Sequence, residues 1–271
     1  MNRLDANVIR AGLGDLASSR LAAIETFAEI DSTNSYLMQR EAPAPGWFRV
    51  ALTDNQTAGR GRHGRRWTSP PGAGLCLSIA YTFVQQPENL AALTLAIGLG
   101  VVEGLEGLGA QGIQLKWPND LMADDGKLGG ILTETQSRSN GAIAVVSGIG
   151  LNVELPGKLD VYDDLDRPQH VVDLAGIAGQ VPPRNQLAAC IVDRLCMTCV
   201  AFEQGGFAAH AARWSARDWL LGRKLTVHTP GRQFTGIGAG VAEDGALLVD
   251  TGADALSRVT SGTVTVTDNG T

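Results

Sequence analysis

The pattern Gly59-x-Gly61-x-x-Gly64 matches a dinucleotide-binding turn letter for letter, yet the residues after it rule that fold out. Such a turn requires a helix to begin inside the motif, so that the phosphates sit on the helix N-terminus. Here the chain continues Arg65-Arg66-Trp67-Thr68-Ser69-Pro70-Pro71-Gly72, and two prolines and a glycine cannot continue a helix. The stretch is instead read as a long flexible loop between the apolar strands 48–53 and 75–83. It carries four arginines on a backbone that three glycines keep thin, and no acidic residue occurs between Asp54 and Glu88. Within a chain of net charge −6 this is a local concentration of positive charge, held by groups protonated at any physiological pH, and it attracts carboxylates and phosphates.

The remaining strand and helix signals indicate an α+β chain. Residues 24–30 read as a strand, 36–41 as a helix and 90–108 as a long, mostly buried helix; 113–116, 127–132 and 142–153 read as strands. Asp124-Asp125-Gly126 reads as a hairpin tip, and 156–183 is irregular apart from a short helix at 172–178. Helices at 185–202 and 207–221 follow. The pattern changes at Gly222: short β segments at 224–228, 234–241, 246–250, 256–260 and 263–267 alternate with turn signals such as Pro230-Gly231 and Asp244-Gly245. The expected organisation is a short helical lead over 1–24, a catalytic domain over 25–221 and a small β-barrel domain over 222–271.

Composition limits the function classes. With 271 residues, 44% of them hydrophobic, the chain can build one large domain and a small one. The acidic balance argues against a nucleic-acid-binding surface as its main business. Cys76, Cys190, Cys196 and Cys199 lie in apolar surroundings; Cys196-x-x-Cys199 has no second pair or nearby histidine to complete a zinc set, so core packing is expected and no tightly bound metal. Met1-Asn2-Arg3-Leu4-Asp5 is followed by no apolar run of signal type, and the longest apolar candidate, 90–108, is interrupted by Glu103 and Glu106, so no membrane span and a cytoplasmic location are expected.

Several short motifs admit both a structural and a functional reading. Asp31-Ser32-Thr33-Asn34-Ser35 supplies preferred helix N-cap types, and a helix start also offers N–H groups to a polar ligand. Trp117-Pro118-Asn119-Asp120 is a turn by itself. Gly126-Lys127 ends like a phosphate-binding P-loop, but no Ser or Thr follows the lysine and the upstream glycine is missing; Lys127 remains as a single cation beside Gly129-Gly130. Asn152 places an amide in an apolar strand, either as a satisfied structural group or as a ligand contact, and both stay open. Together the arginine loop, Lys116, Lys127, the glycine pairs and the strand-end amides suit a ligand with two anionic parts. A carboxylate and a triphosphate repel each other, and joining them requires cations that neutralise both and hold them in line.

Gly59 to Trp67, Lys116-Trp117-Pro118-Asn119-Asp120-Leu121, Lys127-Leu128-Gly129-Gly130-Ile131-Leu132 and Gly148-Ile149-Gly150-Leu151-Asn152 occur in the order and spacing of biotin protein ligases. With Ser32-Thr33-Asn34 and the β-rich tail, the chain resembles that family from about residue 25 onward. The resemblance implies a mixed β-sheet with helices packed on it, of class II synthetase type, followed by an SH3-like barrel. It also implies a two-step reaction: biotin and MgATP give biotinyl-5′-adenylate and pyrophosphate, and a lysine of a carboxylase's biotin carboxyl carrier protein then attacks the anhydride. By position, Ser32, Thr33, Asn34, Gln56, Arg60, Gly61, Arg62 and Lys127 would bind biotin, with Arg62 and Lys127 catalytic. Lys127 would hold the biotin carboxylate and a phosphate oxygen. Trp67, Lys116, Asn119, Asp120, Gly130 and Asn152 would serve ATP, and Asp120 its Mg²⁺.

Two departures qualify the resemblance. The family often carries a DNA-binding winged helix ahead of the catalytic domain; residues 1–24 leave no room for one, so the resemblance is to the ligase-only class, with no DNA partner expected. Thr263 stands after Gly262 where the family commonly has a glutamate, which puts any contact from that acid in doubt. A lipoate ligase shares fold and chemistry but would show an Arg-Arg-x-Ser-Gly-Gly-Gly loop, and a non-catalytic biotin-binding regulator would lose the ATP half. A homodimer stays open, since a sheet edge or the loop face could pair.

Overall fold

The continuous apolar runs at 48–53 and 75–83 become strands buried on both faces, and the architecture is laid over them. The computed structural model describes residues 3–137, 142–157, 161–162 and 168–267. Two short helices, α1 (Ala6–Ala11) and α2 (Asp15–Arg20), lead directly into β1 (Leu21–Phe27); after α3 (Thr33–Met38) come β2 (Phe48–Thr53) and β3 (Gly74–Thr82). α4 (Leu93–Glu106) is followed by β4 (Gln114–Lys116), β5 (Asp120–Ala123), β6 (Gly126–Ser137) and β7 (Ile143–Asn152). These seven strands form one sheet in the order β1-β2-β3-β7-β6-β5-β4, in which only the β1/β2 pair is parallel. A two-stranded ribbon, β8 (Val161–Tyr162) with β9 (Pro168–Gln169), precedes α5 (Leu174–Ala178), α6 (Arg184–Gly205) and α7 (Ala208–Ser215).

Strand alternation divides the sheet into two unlike faces. Val145, Ile149 and Leu151 of β7 join the main core with α4 and α6, whereas Val146 joins a small cluster under α3 with Leu37, Ala51 and Ala80. Glycines let α4 and α6 approach closely: a Cβ on Gly100 would lie 2.5 Å from Thr198 Oγ1. The lead is fastened to α6, where Asn185 accepts from the Asp5 amide at 2.9 Å and Asp193 from the Gly14 amide at 3.0 Å. By length and composition alone α6 could cross a membrane, although it carries Asp193 and Arg194 in mid-helix; Leu187, Ile191, Leu195, Cys199 and Phe202 put its apolar side in the core.

The C-terminal segment forms a five-stranded antiparallel, SH3-like sheet from β10 (Lys224–Thr229), β11 (Arg232–Val241), β12 (Leu247–Asp250), β13 (Ser257–Val259) and β14 (Thr263–Val266), in the order β13-β12-β11-β10-β14. Three expectations need correction, and a fourth reading holds. β1 starts and ends three residues early, spanning residue 24, because Leu21 pairs with Phe48 at the start of β2. The helix expected from residue 36 starts at Thr33, since Ser32 is its N-cap and accepts from the Ser35 amide. The helix expected to reach 221 ends at Ser215, because Leu115 of the edge strand β4 exchanges backbone hydrogen bonds with Arg217 and Trp219 (2.8 and 2.9 Å), which draws the chain out of the helix. The hairpin tip expected at Asp124-Asp125-Gly126 joins β5 to β6, and Asp124 and Asp125 there have φ of 46° and 56°.

Candidate active site

The sheet face opposite α4 and α6 bears a cavity of about 330 Å³, lined by α3, the arginine loop, β5 to β7, the segment 169–171 and β14. All fourteen residues expected at the site line it: Ser32, Thr33, Asn34 and Gln56 at one end; Arg60, Gly61, Arg62 and Trp67 across it; Lys116, Asn119, Asp120, Lys127, Gly130 and Asn152 toward the other.

The first end is a buried polar cluster. Ser78 Oγ, in the middle of β3, lies 2.6 Å from both Asn34 Oδ1 and Thr33 Oγ1, and Gln56 Oε1 accepts from the Thr33 amide at 2.9 Å. Asn34 Nδ2 donates to the Leu132 carbonyl and to Glu134 Oε2, at 3.1 and 3.0 Å. Partners are needed because a buried, unpaired hydroxyl or amide costs about 1–3 kcal/mol. Gly148 gives this cluster its floor, since a Cβ there would stand 2.2 Å from Asn34 Oδ1.

The second end is charged. Lys127 Nζ pairs with Asp120 Oδ1 at 2.8 Å, both side chains being largely buried. The segment 170–172 pairs with the Lys127 backbone, which donates to His170 O at 2.8 Å and accepts from the Val172 amide at 3.0 Å. Asn152 resolves one open question: its Nδ2 donates to the carbonyls of Lys127 and Val172, so it locks the lysine-bearing strand while also lining the cavity. Asn119 Nδ2 donates to the Ile131 carbonyl at 3.0 Å, and the Trp117-Pro118 peptide before it is cis. Trp67 lies flat on Gly150, where a Cβ would come 2.3 Å from the indole. Lys116 sits with its ammonium 5.5 Å from the Trp219 ring centroid.

The arginine loop follows β2 as expected, and its backbone takes a defined course. It is a narrow hairpin: Arg60 bridges Arg66, the Gly61 amide donates to Arg65 O at 2.7 Å, the Trp67 amide to Gly59 O at 2.9 Å, and a 3-10 turn spans Arg62–Gly64. Arg60 pairs with Glu134 at 2.5 Å. Arg62 donates to Asn119 Oδ1 at 3.2 Å and to the Gly262 carbonyl at 3.4 Å, so the loop bridges the two sheets. Among the described residues lining the cavity, four arginines and two lysines face one carboxylate, Asp120. That imbalance fits an occupant with several negative charges.

The structure adds residues that the sequence did not indicate. Ser78 and Glu134 sit on strands whose only signal was a polar residue in an apolar or alternating run; Gln169 and Val171 come from a segment read as irregular. Thr263 and Val264 line the cavity from the small sheet. The cysteines lie outside this chemistry as free thiols: burial pushes Cys76 up to about 11 and Cys199 up to about 12, and also raises Cys196, so they stay protonated. No group of three His, Cys, Asp or Glu residues able to hold a metal occurs among the described residues.

Comparison with known proteins places this geometry among relatives. The model of the biotin/lipoate A/B protein ligase family matches residues 26–152, and that of the biotin protein ligase C-terminal domain matches residues 220–266. The chain is 35% identical to the bifunctional ligase/repressor BirA of Escherichia coli over 88% of its own length and 71% of the relative's. It is 32% identical to the biotin–[acetyl-CoA-carboxylase] ligase of Mycobacterium tuberculosis over 87% and 86% of the two chains. In structure it is similar to the biotin protein ligase from Aquifex aeolicus solved with biotin and ATP, with a TM-score of 0.75, 26% identity, and coverage of 91% of this chain and 100% of that one.

Proposed function

The chain belongs to the biotin protein ligase family, and we propose that it activates biotin with ATP and passes it to a lysine of a biotin carboxyl carrier protein. One observation carries the reading: a single cavity joins a buried, neutral, hydrogen-bonding end to an end lined by cations. The neutral end suits the ureido head group, whose carbonyl and N–H groups need paired partners that Ser32, Thr33, Asn34 and Gln56 can rearrange to supply. The cationic end suits a carboxylate beside a triphosphate.

In this reading Lys127, held between Asp120 and the backbone of 170–172, faces the biotin carboxylate and an oxygen of the α-phosphate. A carboxylate oxygen attacks the α-phosphorus, the acyl–phosphate bond forms, and the bond to the β-phosphate breaks with pyrophosphate as leaving group. Lys116 and the loop arginines neutralise the phosphates, and positioning with charge stabilisation supplies most of the rate. In the second step the carrier's neutral lysine amine attacks the acyl carbon; the new amide loses a proton and AMP departs with the bonding electrons. Asp120, the one carboxylate among the described residues lining the cavity and paired there with Lys127, would hold a Mg²⁺ arriving with ATP, which would neutralise phosphate charge. Trp67 stacks beside the adenylate over Gly150. Free buried cysteines fit a reducing compartment and hence a cytoplasmic site of action.

The test is to mix the protein with biotin and MgATP in the absence of any carrier and to measure pyrophosphate. Release with biotin supports the reading; release with lipoate and none with biotin overturns it.

A further inference from the structure

Glu134 lies just outside the cavity, and nothing in its own sequence context marks it. It stands on β6 two residues beyond Leu132, whose carbonyl accepts from Asn34. A single carboxylate oxygen, Oε2, takes both the Arg60 guanidinium at 2.5 Å and the Asn34 amide at 3.0 Å. Its side chain is 25% exposed and that of Arg60 41%, so the carboxylate is the better-shielded partner, and the arginine comes to it from the loop.

The partners of Asn34 extend the connection. Asn34 meets Ser78, Ser78 meets Thr33, and Thr33 meets Gln56, each across 2.6 to 3.2 Å. Gln56 precedes the loop by three residues and Arg60 opens it, so the chain of contacts leaves the loop at one end and returns to it at the other. Every residue in it except Glu134 lines the cavity.

We infer that Glu134 is a positioning residue of the biotin half: it acts through Arg60 to draw the arginine loop across the head-group end, and it shares that carboxylate oxygen with Asn34 so that order at the head group and closure of the loop reinforce each other. Oε2 has lone pairs for both donors, and the Asn34 amide fixes the carboxylate where Arg60 meets it, so a ligand that fixes Asn34 also fixes where Arg60 binds. The Arg60 side of the pair is exposed, where an ion pair by itself contributes little; what strengthens it is that Asn34 already holds the same carboxylate oxygen in place, so less side-chain freedom is lost when the charge-assisted bond to Arg60 forms. The inference rests on the proposed assignment of this end to biotin.

The experiment is a double-mutant cycle of Glu134→Gln and Arg60→Gln, read by the KM for biotin, the KM for ATP, kcat for pyrophosphate release, and tryptic cleavage of the loop with biotin and MgATP present. Glu134→Gln should raise the KM for biotin about tenfold, leave the KM for ATP within about twofold and restore cleavage at the loop arginines. In the Arg60→Gln background it should add nothing further, because the carboxylate works through that arginine. An undiminished effect in that background would assign Glu134 to supporting Asn34 alone and overturn the inference, as would unchanged loop protection in the single variant. Melting curves separate misfolding from these effects; should Glu134→Gln fail to fold, Arg60→Gln reads the same pair from the exposed loop and must show the same KM split. If the unaltered protein releases no pyrophosphate with biotin, the site assignment itself fails and the inference falls with it; release by the unaltered protein with a silent Glu134→Gln variant overturns the inference alone.

Discussion

The two ends of the cavity are made in different ways. The end around Thr33, Asn34 and Ser78 is buried, and each of these side chains is already hydrogen-bonded to another part of the protein. The end around Lys116, Asp120 and Lys127 is assembled from strand ends, the 170–172 segment and a loop that also reaches Gly262 of the small sheet. A network of paired polar groups discriminates because a ligand that opens it without replacing its hydrogen bonds leaves those groups unpaired. A set of cations gathered from separate segments stabilises charge wherever it develops, and it changes shape as its segments move. On this view the first end selects and the second end catalyses.

The sharpest way to break that division is at Lys127. Lys127→Ala should lower the rate of pyrophosphate release by about 10²- to 10³-fold, since it removes the cation aimed at the developing charge. The affinity for biotin, measured by calorimetry without ATP, should fall far less. Equal losses in affinity and rate would mean that the lysine serves ground-state binding at both ends.

Gly148 and Gly150 test the division on one strand. A methyl at 148 would meet Asn34 Oδ1 at 2.2 Å, and one at 150 would meet the Trp67 ring at 2.3 Å. Overpacking of this kind costs about 1–3 kcal/mol, which corresponds to roughly 5- to 150-fold in affinity. Gly148→Ala should raise the KM for biotin and Gly150→Ala the KM for ATP. Steady-state kinetics in which either variant moves both constants alike would show one indivisible site.

A smaller effect is expected at the bridge between the sheets. Arg62→Gly removes the contacts to Asn119 and to the Gly262 carbonyl, so the adenylate should still form. Its escape into solution should become about tenfold faster, the worth of one or two charged hydrogen bonds. Trapping the released adenylate by chromatography reads this directly, and wild-type retention would remove Arg62 from the closing contacts.

The same contrast explains how much could be read from the sequence. The charged end was legible because its residues sit in short motifs whose types announce their chemistry: Lys127 beside two glycines, Asn119-Asp120 after a proline, four arginines in one loop. The strands β2, β3 and β7 were legible from unbroken apolar runs. The neutral end was legible only in Ser32-Thr33-Asn34 and Gln56. Ser78 and Glu134 complete it from strands 44 and 100 residues away in sequence, and a hydroxyl or carboxylate in a strand does not announce its partner. The hairpin course of the arginine loop is hidden for a related reason: its glycines leave many paths open, and Glu134 and Asn119, which meet its arginines, lie far along the chain. The end of α7 is hidden likewise, since only β4 draws residues 217–219 out of the helix.

The least perturbing change is far from both ends and gauges how much general stability contributes to the others. His210 of α7 is buried near Phe202 on the core side of the sheet; its Nδ1 lies 3.1 Å from the Arg213 guanidinium, which also pairs with Glu103. Burial, and secondarily Arg213, lowers its pKa to about 4 from an ordinary value of 6.5. The unfolded chain therefore takes up a proton between those values while the folded chain refuses it, so stability is complete above pH 6.5 and declines as the pH falls toward 4. By pH 5 the loss from this one group is about 2 kcal/mol. His210→Phe removes the titration, so its melting temperature should fall less between pH 7 and pH 5 than that of the unaltered protein, while both KM values at neutral pH stay the same. If the two proteins lose equal stability, the acid sensitivity comes from elsewhere. If instead the KM values shift, the back of the sheet is coupled to the cavity, and the shifts expected for the glycine variants would have to be separated from a general loosening of the fold.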